Sequence, residues 1–129
     1  MEFKKESDIL VRSFHYDFLE EPQPKSEVNV AIRPANEVDE DGNPVETADH
    51  FYEVAVIFNV SPAPGYINLS GLVTQIYNLH DYEGDGHDIS AADWKLMTRP
   101  LVEQIETITY QITQVTLDEP MNISFTPDF

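Results

Sequence analysis

His80, Asp81, Glu83, Asp85, His87 and Asp88 place two imidazoles and four carboxylates within nine residues, the densest set of potential ligands in the chain. Asp81, Glu83, Asp85 and Gly86 imitate the first, third, fifth and sixth positions of a calcium loop. Such a loop supplies oxygens at alternate residues and turns sharply at its glycine. The imitation stops there. The third position carries Glu in place of Asp or Asn, and the twelfth is Ala92, so the bidentate carboxylate that closes the cage is missing. A solvated acidic loop is expected, with no metal and no cofactor. Of the four histidines, none adjoins a serine in a nucleophile elbow, and the five glycines form no phosphate-binding loop. With 24 acidic residues in the chain, no single carboxylate pair marks an acid–base site. The sequence points away from an enzyme.

The same acidity bounds the partners. Against 24 acids stand seven basic residues, for a formal charge of −17. That field repels phosphate backbones and anionic lipid, so neither nucleic acid nor membrane is expected. It suits a docking face for a basic partner as well as solubility. The 129 residues fit one domain, 1–129, large enough to bury a core without staples. Cysteine is absent, which suits a reducing compartment. Residues 1–8 carry no apolar signal-peptide run, and no apolar stretch approaches the roughly 20 residues of a membrane helix, so the expected location is cytoplasmic.

The elements that must position any site follow from periodicity. Residues 9–19 alternate as a strand, with Leu10, Phe14, Tyr16 and Phe18 on one parity. Pro22 and Pro24 end it. Val28, Val30 and Ile32 mark a second strand, and the polar stretch 36–49 reads as a long hairpin tip around Asp41-Gly42. Residues 51–60 form the strongest strand: Tyr52, Val54, Val56, Phe58 and Val60 make one fully apolar face, and the other face is mixed. The mixed face predicts that both sides of the sheet meet something, and so predicts self-association. A fourth strand runs over 66–79, with Gly71 marking a bulge or a close approach. Ser90 and Asp93 cap a short helix over 90–97. A long helix then covers 100–117, with Thr98 as N-cap and Pro100 in its first turn. Its stripe is Leu101, Ile105, Ile108, Ile112 and Val115. The β-branched run 107–116 also fits a strand, but the helical stripe persists over four turns. Residues 121–125 return as an extended tail. The fold class is α+β: a four-stranded antiparallel meander with a short and a long C-terminal helix on one face.

Several stretches, in this order, resemble the SecB family of export chaperones. Asp49-His-Phe-Tyr-Glu-Val-Ala-Val-Ile-Phe-Asn-Val60 is similar to that family's third strand, and Gln75-Ile-Tyr-Asn-Leu79 to the end of its fourth. Arg99-Pro-Leu-Val-Glu103 resembles its Phe-Pro helix start, and Glu119-Pro-Met-Asn-Ile-Ser-Phe125 its Ala-Pro-Val-Asn-Phe close. The order holds from about Phe14 onward, and the match looks closest to a small Gram-positive branch of SecB-like proteins. The resemblance implies protomers that pair into a homo-dimer or tetramer. It also implies apolar grooves for unfolded polypeptide, and acidic sheet residues that dock a translocase motor. Asp17 and Glu20 fall near the matching acidic positions of the first strand. In the fourth strand the matching positions are Ser70 and Asn68, and no polar tail follows, so the motor is not expected as recipient.

Two readings follow. The first is a chaperone-like protein that binds unfolded or basic-apolar polypeptide segments through Phe14, Tyr16, Phe18, Tyr66, Tyr77, Tyr82 and Trp94. The second is an acidic adaptor, or partner-specific chaperone, for a single protein.

Overall fold

The computed structural model describes residues 2–35, 41, 51–62, 64–80, 82, 84, 88–117, 121, 124 and 125. Its elements are β1 (Glu2–Lys5), β2 (Leu10–Phe18), β3 (Lys25–Pro34), β4 (Phe51–Ser61), β5 (Ile67–His80) and α1 (Ala91–Thr116). All strand pairs are antiparallel, and the class is α+β as the sequence implies.

Two features of the sheet differ from the expected meander. First, β1 precedes the predicted first strand and lies end to end with β2 along one edge of β5. Phe3 pairs with Leu79 and Lys5 with Tyr77, while Val11 pairs with Val73 and Phe18 with Ile67. Ser7 bridges the break: its Oγ accepts from Ile76 N at 2.9 Å and its carbonyl from Gln75 Nε2 at 2.9 Å. Second, the lateral order is β1/β2, β5, β4, β3, so the chain's first strands lie beside its last. That is a Greek-key order, not a meander.

The physical reason lies in residues 19–24. Pro22 and Pro24 cannot donate to a ladder, so this connection does not fold back as a hairpin. It crosses the end of the sheet instead. Leu19 N donates to Tyr66 O at 2.6 Å, and Gln23 N to Gly65 O at 3.0 Å. Gly65 has φ 95°, and a Cβ there would stand 2.5 Å from Pro24 N. Glycine alone lets the crossing lie on the β4–β5 turn. Gly71 answers a second close approach, since a Cβ there would stand 2.1 Å from Ser13 O beside the bulge in β2.

The inner face of the sheet holds the core. Val54, Val56, Phe58 and Val60 of β4 lie beside Val73, Leu69 and Gly71 of β5, with Val28 of β3 next to Phe58. Helix α1 covers this face with Met97, Leu101, Val102 and Ile105. The two predicted helices are one. Ser90 caps it, with its Oγ accepting from Asp93 N at 3.2 Å, while Thr98 is an interior residue that donates to Trp94 O at 2.8 Å. Pro100 sits inside the helix. A proline there removes one hydrogen bond, at a cost of about 3 kcal/mol. The carbonyl it leaves belongs to Leu96, an exposed residue that water can serve. The buried apolar residues on both sides keep the helix continuous.

The helical stripe is also turned from the expected one. Leu101 and Ile105 are buried, Ile108 and Ile112 only partly, and Val115 is 82% exposed. Thr109 and Thr113 take the inward positions instead, their hydroxyls satisfied by Ile105 O at 2.8 Å and Thr109 O at 2.7 Å. Thr113 Oγ1 also accepts from Met121 N at 2.7 Å. Glu106 accepts from Phe125 N at 3.3 Å and pairs with Arg99 at 2.9 Å. Met121 and Phe125 are thus tied to successive turns of the helix, and Phe125 is buried. The predicted hairpin tip lies outside the described residues apart from Asp41.

Candidate functional site

The Greek-key crossing brings three distant segments to one end of the sheet. Phe18 closes β2, Tyr66 opens the approach to β5, and Pro62 and Pro64 lie in the turn from β4 to β5. The end of α1 adds Leu117, and the tail adds Met121, held in place by Thr113. With Ile67 as floor, these side chains line an apolar cavity of about 340 Å³. Phe18 and Tyr66 stack with ring centroids 6.4 Å apart and planes at 14°. Both stay open to water, at 66% and 44% exposure. Two stacked aromatics held at the surface beside an apolar hollow can accept one or two large apolar side chains. The Tyr66 hydroxyl is the one polar side-chain group among the lining residues.

Over the middle of the sheet α1 presents Leu101, Val102 and Ile105. In its last turns the inward residues are Thr109 and Thr113, which are shorter and fill less volume. On the crossing, the exposed Glu20 and Glu21 follow Leu19, whose N–H donates to Tyr66 O.

The other candidate aromatics are dispersed. Phe14 and Tyr16 lie on the inner face of β2, half-buried, with Phe14 tilted against Phe58 at 6.0 Å. Tyr77 is a core residue. It is fully buried, with Phe3 edge-on at 5.5 Å and its phenol shared between Met97 O at 2.8 Å and Gln75 Oε1 at 2.9 Å. Burial pushes its pKa up to about 12. Tyr82 packs on Tyr52 at 5.5 Å, and its phenol donates to Asp88 at 2.5 Å. Trp94 is half-buried in the first turn of α1. These last three belong to the Tyr77 end of the sheet.

Asp17 and Glu20 do not share a surface. Strand alternation turns Asp17 to the outer face, opposite Asn68, while Glu20 is on the crossing. Asn68 and Ser70 also lie on the outer face, and Asn68 donates to Asn59 and Ser61 at 2.8 and 3.0 Å. Asp81, Glu83, Asp85 and His87 of the acidic loop are outside the described residues. Among the described residues no group of three or more His, Asp or Glu could hold a metal ion. Nor is any helix among them long and apolar enough to cross a membrane. Reasoning from sequence missed Pro62, Pro64, Ile67, Leu117 and Met121 as cavity residues. The two prolines were visible only as a turn.

A family model described as a protein of unknown function (DUF1149) matches residues 1–125. Among solved structures, a Streptococcus agalactiae protein of unknown function superposes with a TM-score of 0.77 at 22% identity, over 97% of this chain and 98% of its own. A second is a SecB-like chaperone of Mycobacterium tuberculosis in complex with a ChAD peptide from the HigA1 antitoxin. It superposes with a TM-score of 0.53 at 12% identity, over 96% of this chain and 89% of its own. The fold is therefore SecB-like. No curated protein matches the sequence.

Proposed function

The chain belongs to this family of unknown function, DUF1149, and we propose that it acts as a chaperone-like, non-enzymatic protein that binds extended or unfolded polypeptide in the cytoplasm. The observation that carries the reading is the open Phe18–Tyr66 stack over an apolar cavity of about 340 Å³. That volume falls at the low end of small-ligand sites, which run from about 300 Å³, and suits an apolar side chain better than a whole cofactor. A segment lying across it would bury one aromatic or branched residue there. Glu20 and Glu21 would favour Lys or Arg beside that residue, less so at high salt. Micromolar binding is expected, because an extended client loses conformational freedom as it docks. The SecB-like fold adds support, since the mycobacterial chaperone of similar fold holds a peptide.

That same neighbour favours a second reading, because its peptide comes from one antitoxin. This chain would then be a partner-specific chaperone or adaptor for a single protein. Refolding an aggregation-prone protein with and without a stoichiometric amount of this chain separates the two. Suppressed aggregation supports the broad reading. No suppression, together with no binding to any reduced, unfolded model chain, overturns it and leaves the single-partner reading.

A further inference from the structure

Among the described residues the sheet has two free edges, and they are not equivalent. In β2 the bond from Leu19 N to Tyr66 O fixes which residues face β5. Antiparallel partners exchange bonds at every second pair, so Ser13, His15 and Asp17 turn their N–H and C=O groups toward Leu72, Ser70 and Asn68. Phe14, Tyr16 and Phe18 turn theirs away, where no strand lies among the described residues. These are also the residues whose side chains lie on the inner face. One line therefore offers three aromatic side chains and three pairs of main-chain donors and acceptors. At the other edge Ala35 N donates to Phe51 O, so Val28, Val30 and Ile32 of β3 turn theirs outward. That edge is blunted. It ends in Pro34, which has no donor, and it carries the exposed Lys25, Glu27 and Arg33. Between the bulge at Arg12 and its end at Phe18, β2 has no proline and one carboxylate, Asp17.

Phe18 joins this edge to the cavity, since it is the last residue of the one and a wall of the other. Resting on the polypeptide-binding reading above, we propose that a bound segment leaves the cavity by pairing with the free edge of β2 as an added antiparallel strand. Antiparallel pairing matches every other pair in the sheet and is the more stable per residue. The residues opposite Phe18, Tyr16 and Phe14 then put their side chains on the inner face, at alternate positions, beside those aromatics. The residue between the first two stands opposite Asp17, and Lys or Arg there makes a cross-strand ion pair on the outer face. The exposed Glu20 and Glu21 follow closely after Phe18 and add to the field at that end, while Arg12 stands at the other. Charge selects the occupant. A second copy would bring a further formal charge of −17 to an acidic edge, whereas a segment carrying lysine or arginine is attracted. The ligand class is an extended segment with apolar residues at three alternate positions and a cation after the first.

A labelled peptide and the full chain test this by fluorescence anisotropy. The peptide carries a phenylalanine for the cavity, then valine at three alternate positions, with lysine after the first and threonine after the second. In the antiparallel pairing the valine N–H groups bond to β2, and those of lysine and threonine point away. N-methylation of the second and third valines should weaken binding about tenfold or more, and N-methylation of lysine and threonine less than about twofold. On the protein side, Tyr16→Pro removes an outward N–H and leaves the bonds to β5 in place. It should bind the peptide about tenfold more weakly than Tyr16→Ala, with circular dichroism unchanged. Equal affinity of the two methylated peptides overturns the proposal and leaves the cavity reading intact. A loss confined to the lysine and threonine series overturns it as well, because those N–H groups face β2 only in a parallel pairing. A wild type that sediments as a dimer, released by Tyr16→Pro, gives the edge to a second copy and also overturns it. An unmethylated peptide that does not bind overturns both the proposal and the reading beneath it.

Discussion

The two ends of the sheet carry similar aromatic residues in opposite conditions. At one end Phe3 meets Tyr77 and Tyr82 meets Tyr52 edge to face, and Tyr77 is closed over by Met97 of the helix. At the other, Phe18 and Tyr66 stack face to face with one side in water. Register separates the ends by ten residues of β5, from Ile67 to Tyr77, or about 33 Å. Phe18 and Tyr77 share the inner face, so strand parity does not explain the difference. Position along the helix does. Tyr77 lies under its first half, where the phenol donates to Met97 O at 2.8 Å. Phe18 lies at the far end, where the helix adds Leu117 to the wall of an open cavity. The fold therefore divides its aromatics into a structural end and an open end, the latter being the proposed binding end.

Removing the structural end should give the largest effect. Tyr77→Ala empties a fully buried site and is expected to cost about 3–5 kcal/mol in chemical denaturation. A loss under about 1 kcal/mol would erase the distinction between the ends.

Alkali probes the same residue without leaving a cavity. The folded phenol ionises near 12, above the ordinary value near 10. Below pH 10 both folded and unfolded forms keep the proton, and the stabilising contribution is whole. Between about pH 10 and 12 only the unfolded chain releases it, so stability falls with rising pH, by about 2–3 kcal/mol in all. Tyr77→Phe should flatten that part of the pH profile. An unchanged slope would mean that other groups cause it.

Along the helix the comparison sharpens further. Ile105→Ala should cost about 2–5 kcal/mol, Ile108→Ala about 1, and Val115→Ala less than about 0.5. Equal losses at Ile105 and Val115 would restore the stripe that the sequence suggests.

How much of this could be read beforehand depends on the range of the contacts. The alternation of Tyr52, Val54, Val56, Phe58 and Val60 is local and gave β4 and its inner face directly. Ser90 and Asp93 gave the helix start for the same reason. Pro100 misled, because a proline tolerated in a helix interior and one that opens a helix look alike until burial on both sides is known. Threonine misled too: Thr109 and Thr113 turn inward because their hydroxyls bond back to the helix, which hydrophobicity alone does not reveal. The Greek-key order was not legible, since periodicity identifies strands without their neighbours. The cavity depends on that order. Phe18 and Tyr66 were both candidates, but their stacking needs β2 beside β5, and the remaining walls come from a turn, the helix end and the tail.

The smallest stability change falls at the binding end, and there the functional change should be greatest. Phe18→Ala exposes no core and should lower the unfolding free energy by less than about 0.5 kcal/mol. The central claim is tested by titrating a labelled, reduced and unfolded polypeptide into wild type and into Phe18→Ala, with fluorescence anisotropy as the readout. Micromolar binding by the wild type, weakened about tenfold by Phe18→Ala at unchanged stability, is the predicted result. Equal binding by the two proteins would contradict the assignment of this end of the sheet.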